Sequence, residues 1–452
     1  MSERGSWGSR LAFIMAAAGS AIGLGNIWGF PTRVGQGGGA AFVLIYLACI
    51  FLICAPILIA ELAFGRSAGL SPVGAFERFR PGSKWWLVGA LGVVSGVGIV
   101  SFYSVIGGWT LAYVGMAATS GLDGDMGDRF MALIGNGSLN IGLTFVFIGF
   151  AAAANVGGVQ GGIERVTKVL MPILIGLLGL LCVRALTLPG ASEGLAYYFK
   201  PDFEKALDPG VFNAALGQAF FSLSLGNGCM LTYGSYLSRK ESIGRSAIWV
   251  VLLDTSIALA AGLLVFPVGF TLAGFDPSAS GPGLLFITLP QLFATLPAGA
   301  FFGAAFFVLL ALAALTSAIS LLEIPVSHCI DQFRWSRQKA VGVIAGSAFV
   351  LSIPCALAGG AVDFLTNFTS RAWGGDYLQF TATVWNNFAL PIGGLLTSIF
   401  VGWVWGVDKA LEELTSEGAR FPLAKLWSWS IRYVAPVAIV VILLTGIWPL
   451  FF

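Results

Sequence analysis

A single carboxylate, Asp254, sits in the run WVVLLDTSIALAAG, apolar on both sides. A charge in hydrocarbon is costly, and an acid placed there implies a function such as holding a cation or carrying a proton. Two hydroxyls, Thr316 and Ser317, interrupt the equally apolar LLALAALTSAIS. Hydroxyls on a helix commonly bond back to their own backbone, but they are also ligands for a hard cation, which binds oxygen. Two further stretches loosen the backbone itself. GSAIGLGNIWGFP (residues 19–31) and FFSLSLGNGCMLTYG (residues 220–234) each place several glycines in an apolar segment. An interior glycine weakens a helix by about 1 kcal/mol relative to alanine. Unwound backbone cannot face lipid, where unpaired N–H and C=O groups are expensive, so it must line a cavity. There, N–H groups at half-helix starts suit an anionic group and freed carbonyls suit a cation. Glycines that only let helices pack closely are the alternative, weakened by the occurrence of two breaks at matching positions.

The elements that position these residues are membrane spans. Of 452 residues, 57% are hydrophobic and 10% charged, and the mean hydropathy is +0.87. Soluble domains carry about 25% charged residues, so the chain is expected to be an all-α polytopic membrane protein. A net charge of +2 gives no sign of nucleic-acid binding. About 20 apolar residues cross a bilayer, which predicts eleven spans: 10–36, 40–64, 85–118, 139–156, 163–188, 210–237, 244–272, 300–333, 338–358, 377–405 and 427–450. The proline-bearing segment 273–299 is predicted to be a re-entrant or capping hairpin on the outer face. With the N-terminus inside, 18 Lys and Arg fall on the inner side. Six, namely Arg33, Arg129, Arg184, Lys200, Lys205 and Arg371, fall outside. That asymmetry predicts a cytoplasmic N-terminus and, with eleven spans, an external C-terminus. The polar start is read as a cytoplasmic end and not a cleaved signal.

The broken spans are the first and the sixth. They head two five-span halves, 10–188 and 210–405, with 427–450 as an added eleventh helix in one domain spanning 1–452. Interrupted helices in corresponding positions are the signature of a 5+5 inverted-repeat secondary transporter. Six cysteines without a CxxC pair read as packing residues. One histidine, His328, is too few for a zinc site. No catalytic constellation is present, so an enzyme is not expected.

Four blocks carry a resemblance: SRLAFIMAAAGSAIGLGNIWGFP, GGGAAFVLIYL, GQAFFSLSLGNGCMLTYGSYLSR and LAALTSAIS. In this order they resemble the bacterial amino-acid transporter branch of the neurotransmitter:sodium symporter family, over essentially the whole chain. The resemblance implies two sodium ions as cofactors. The first would be held by the Ala21 carbonyl, Asn26, Ser222 and Asp254, which stands where asparagine is commoner. The second would be held by the Gly19, Ile22 and Ala313 carbonyls with Thr316 and Ser317. It implies a substrate site at Ser20, Ala21, Gly23, Leu24, Gly25, Ile99, Tyr103, Phe221, Ser222, Ser224, Asn227, Ser317 and Leu321. Tyr103 would meet a substrate carboxylate. Ala21, where amine carriers have an aspartate, favours an amino acid over an amine. Asn227, replacing an apolar residue, needs a polar partner and points to a small or polar substrate.

Two sodium ions and a zwitterion leave the site at +2, and Asp254 lowers this to +1. Animal relatives use chloride for that purpose, so no chloride is expected here. Arg4 and Asp331, supported by Ser235 and Tyr236, match the family's inner gate. The outer gate's arginine and aspartate fall at Gly29 and near Ala382, so both are missing together. Either Arg33 with Asp376 forms a latch displaced outward, or no ionic latch exists. Gly162 and Pro172 suggest that the inner end of the fifth span can unwind. Glu61 and Glu323 read as a structural network. The expected function is import of an amino acid with sodium by alternating access, in the cell inner (plasma) membrane, with no obligatory protein partner. A proton-coupled carrier using Asp254, or a substrate sensor on the same fold, are the alternatives.

Overall fold

The computed structural model describes residues 5–119, 121–122, 124–272, 274–277, 282–370 and 373–451. Arg4, Arg371, Phe452 and part of the segment 273–299 lie outside the described residues. Among those described, structure is helical apart from one isolated bridge between Gly39 and Pro201.

Helix α1 (Arg10–Ala21) begins on Ser9, whose hydroxyl accepts from the Ala12 N–H at 3.2 Å. It stops because Ile22 is extended, with φ −76° and ψ 102°. The chain re-enters helix as α2 (Gly25–Gln36), bent by 53° from α1. Then follow α3 (Ala40–Ala68), α4 (Trp86–Thr119), α5 (Gly137–Val156) and α6 (Val159–Leu186). The second break separates α7 (Pro209–Ser222) from α8 (Cys229–Gly234). Beyond it come α9 (Ile243–Gly269), α10 (Leu284–Thr295), α11 (Gly299–Phe333), α12 (Arg337–Leu357), α13 (Tyr377–Leu414) and α14 (Ala424–Gly446), and shorter helices such as Pro72–Phe79, Met126–Gly135 and Ala191–Phe199 lie in the connections.

Nine of these are long and apolar enough to cross a membrane, ten with α1 and α2 taken as one span. The chain is therefore a multi-span membrane protein. With 14 and 6 residues, α7 and α8 are each too short to span alone at 1.5 Å per residue. The count of eleven depends on joining them. The hairpin expected over 273–299 is instead, in its described part, the helix α10. Its Phe286 carbonyl accepts from Tyr113 Oη, which anchors it over α4. The predicted span 377–405 ends where Gly406 turns the chain (φ +100°), and the charged Val407–Leu414 completes α13.

The long helices α4 (34 residues) and α11 (35 residues) pack along one another. They give the broken helices a rigid wall. The second break is held open by backbone geometry: Ser224, Gly226 and Gly228 all have positive φ. At Gly226 (φ +81°) a Cβ would lie 2.0 Å from the Leu390 carbonyl oxygen. Gly69 has a similar φ (+60°) with nothing within 4 Å of its Cβ position. Gly69→Ala should therefore cost about 1–2 kcal/mol, the left-handed backbone penalty alone. Gly226→Ala should be much worse, with a larger fall in melting temperature and in folded yield. Equal losses in the two variants would show that the close approach at Leu390 is unimportant.

Candidate functional site

At the first break, α1 ends with carbonyls that have no following helical turn to bond them. The Ile22 N–H takes the Ala18 carbonyl, and the Ser20 carbonyl accepts from the hydroxyls of Ser224 (3.0 Å) and Ser317 (3.2 Å). The carbonyls of Gly19, Ala21 and Ile22 receive no backbone N–H across the break. The freed N–H groups are taken by side chains. Gly23 donates to Asn26 Oδ1 at 3.2 Å, and Leu24 donates to Tyr103 Oη at 3.2 Å. At Gly23 a Cβ would stand 2.7 Å from Ser317 Oγ and 2.9 Å from Tyr103 Oη, so any larger residue would displace one of these hydroxyls.

Asp254 reaches this break from α9 and is fully buried. Asn26 Nδ2 donates to its Oδ1 at 2.7 Å, and Ser222 Oγ lies 2.9 and 2.8 Å from its two carboxylate oxygens. Tyr46 Oη stands 3.4 Å from Ser222 Oγ. These partners are all neutral. Among the described residues the ion pairs are Arg66–Glu413, Lys168–Glu164 and Arg337–Glu323, so no basic side chain offsets Asp254. No group of three or more His, Cys, Asp or Glu able to hold a metal exists among the described residues. The oxygens around Asp254 are the ligand type of a hard cation.

A second group of oxygens lies where α11 meets α1. Thr316 Oγ1 donates to the Leu312 and Ala313 carbonyls at 3.2 and 3.1 Å, and Ser317 Oγ lies 3.3 Å from the Ala313 carbonyl. A Cβ on Gly19 would come within 3.4 Å of Thr316 Cβ. Gly19, Ala313, Thr316 and Ser317 are thus neighbours across two helices.

Between the breaks is a cavity of about 30 Å³. It is lined by Ser20, Ala21, Gly23, Gly25, Ile99, Tyr103, Phe221, Ser224, Asn227, Ser317, Leu321 and Leu390. Two expected lining residues are absent. Leu24 gives its N–H to Tyr103 and lines the adjoining larger cavity instead, and Ser222 faces Asp254. Leu390, at the start of a proline-bearing turn in α13, was not foreseen, because no local motif marks it. Asn227 Oδ1 accepts from the Cys229 N–H (2.9 Å), a turn just ahead of α8, leaving the amide NH₂ for the cavity. Glu61 Oε1 accepts the Gly226 N–H at 2.8 Å, which ties α3 to the second break. Both Tyr103 and Phe221 also line a second, partly open cavity of about 520 Å³ that includes Trp28, Gly29, Arg33, Gln218, Gln379 and Asn386.

The displaced outer latch is not formed. Arg33 donates to the Ala214 carbonyl (3.3 Å), and Asp376 caps its helix by accepting from the Gln379 N–H (2.8 Å). Over the empty Gly29 position lies Gln218. Its Nε2 donates to the Gly25 carbonyl at 2.7 Å, and its Oε1 is 3.0 Å from where a Gly29 Cβ would be. An uncharged amide therefore bridges α7 to α2 where an arginine was expected.

The opposite end is closed by the N-terminal segment. Trp7 Nε1 donates to the Tyr233 carbonyl (3.0 Å), its N–H to the Tyr236 carbonyl (3.2 Å), and the Gly8 N–H to Glu164 Oε2 (2.8 Å). Tyr236 Oη donates to Glu323 (2.7 Å), which also pairs with Arg337. Asp331 accepts from the Ser71 N–H at 2.6 Å, and Ser235 Oγ bonds the Thr232 carbonyl. The expected partner Arg4 lies outside the described residues. The inner end of α6, expected to unwind near Gly162, is wound in this conformation from Val159 onward.

Residues 4–127 and 129–450 match the model of the sodium:neurotransmitter symporter family. The chain is 39% identical over 451 residues to the uncharacterized sodium-dependent transporter YhdH of Bacillus subtilis, covering 99% of this chain and 98% of the relative. It is 35% identical over 463 residues to an uncharacterized sodium-dependent transporter of Haemophilus influenzae, covering 99% of each. A crystal structure of MhsT in complex with L-phenylalanine superposes with a TM-score of 0.90 at 42% identity, covering 98% of this chain and 100% of MhsT.

If Gln218 holds the outer end closed, Gln218→Ala should speed the reaction of a cysteine introduced at Ile99 with a water-soluble thiol reagent. The expected gain is about two- to tenfold, the worth of one hydrogen bond. An unchanged rate would leave closure to Tyr103 and Phe221 alone.

Proposed function

The chain belongs to the sodium:neurotransmitter symporter family, a family of transporters and not of enzymes, and from that premise we propose that it imports an amino acid with sodium by alternating access. The observation that carries the cation half is Asp254: a buried carboxylate met only by neutral donors. Leaving a buried charge unpaired costs several kcal/mol, and a sodium ion removes that cost. Asn26, Ser222, Asp254 and the Ala21 carbonyl would hold one ion. The Gly19, Ile22 and Ala313 carbonyls, Thr316 and Ser317 would hold a second.

The substrate half is supported by the cavity between the breaks. Ala21 brings no carboxylate of its own to the first ion, so a substrate carboxylate can complete that shell. Tyr103 Oη, which accepts the Leu24 N–H and lines the cavity, would donate to the same carboxylate. The Asn227 NH₂ offers a donor to a polar atom on the substrate side chain. That L-phenylalanine occupies MhsT supports an amino acid as cargo. With the inner end sealed by Trp7 and a cavity leading away from Phe221, the conformation fits the stage that takes up cargo from outside. The two halves, 10–188 and 210–405, would rock against each other about these breaks, in a plasma membrane with a cytoplasmic N-terminus and an external C-terminus.

Asp254 supplies the negative charge that chloride supplies elsewhere, so transport should not need chloride. In proteoliposomes, an inward sodium gradient should drive accumulation, and replacing chloride by gluconate should change uptake less than twofold. A large fall with gluconate would refute the charge argument. Accumulation driven by an inward proton gradient without sodium would favour the proton-carrier reading. Binding without accumulation would favour a sensor.

A melting-temperature screen of the amino acids, with and without sodium, would identify the cargo. Asp254→Ala should remove the first ion's share of the rise that sodium gives wild type, about 2.7 kcal/mol at 100 times that site's dissociation constant, and leave the second ion's share. An undiminished sodium response in that variant would remove Asp254 from the site.

A further inference from the structure

A groove of about 310 Å³ lies between the Val407–Leu414 part of α13 and the start of α14, far from the broken helices. Its walls include Leu411 on one side and Lys425, Ser428, Trp429, Arg432 and Tyr433 on the other. The last five follow the spacing i, i+3, i+4, i+7 and i+8, a single face of the helix. Arg432 is held in place: its Nε donates to the Gly402 carbonyl (3.2 Å), and its guanidinium lies 5.8 Å from the centre of the Trp403 ring. Neither Lys425 nor Arg432 pairs with a carboxylate among the described residues. Glu413, on the facing helix, is taken by Arg66.

The same face of α14 continues as an apolar stripe. Trp429 is 58% exposed and Tyr433 49%, and Val437, Val440 and Leu444 beyond them are also exposed. Read along the helix, cations and rings alternate as Lys425, Trp429, Arg432 and Tyr433, and aliphatic side chains follow. That suits an anionic phospholipid whose phosphate and ester region lie at the start of the helix and whose acyl chain runs along the rest. Aromatic rings favour the membrane interface, and basic pockets between spans at that depth bind anionic headgroups.

We propose that this groove binds one anionic phospholipid, its phosphate between Lys425 and Arg432 and an acyl chain along Val437 and Leu444. The site is independent of the transport reading. It anchors α14 to the turned end of α13, where Arg66 also binds.

The test uses the full chain in detergent and tail-labelled phosphatidylglycerol or phosphatidylcholine, read by fluorescence anisotropy. Phosphatidylglycerol should bind about tenfold more tightly, two cations contributing. High salt should narrow the difference. The double variant Lys425→Gln with Arg432→Gln should bind both lipids alike, whereas Lys339→Gln, a cation elsewhere, should keep the preference. Equal binding of the two lipids to wild type overturns the proposal without any variant being needed. So does a double variant that keeps the preference, and so does displacement of the labelled lipid by millimolar inorganic phosphate, which would make this a free-anion site.

Discussion

Backbone released from a helix inside a bilayer has no solvent to bond with, and every released group must be met by protein or by cargo. The folded chain meets that constraint from five directions. Tyr103 on α4, Glu61 on α3, Gln218 on α7, Ser317 on α11 and the local Asn26 each bond one group freed near a break. What remains after these contacts is a set of carbonyls at Gly19, Ala21 and Ile22, beside a carboxylate that no basic side chain pairs among the described residues. The helices around them, above all the long α4 and α11, are the frame that keeps those residual groups from collapsing onto one another.

Much of this was legible from local chemistry. Apolar length gives the spans, with ends within a few residues of those observed in α3, α4, α5, α11 and α12, because lipid demands one continuous pattern. Glycine clusters mark both breaks, because few other residues tolerate the backbone that Gly226 adopts. The oxygens of Asn26, Ser222, Asp254, Thr316 and Ser317 stand out because polar atoms are rare in such runs.

What was not legible depends on contacts between distant segments. No pattern near Gln218 announces that its amide covers Gly29, or near Glu61 that its carboxylate takes the Gly226 N–H, 165 positions away in the chain. The same holds for Arg33 and Asp376, one of the two alternatives for the outer end: in this conformation each has a nearer backbone partner, a carbonyl for the arginine and a helix start for the aspartate. Nothing near Asn227 signals that half of its amide is spent locally, on the Cys229 N–H.

The cavity between the breaks has a consequence of its own. About 30 Å³ is room for a water molecule or two, far less than any amino acid. If the cargo is the amino acid proposed above and binds between the breaks, it cannot settle into a ready-made mould; it has to push Phe221, Leu321 or Leu390 aside. Those side chains belong to α7, α11 and α13, which move relative to one another in any rocking of the halves. The work of dilating the cavity and the work of reshaping the bundle are then the same work. Selectivity would lie less in the resting outline of the site than in how stiffly each wall resists being moved.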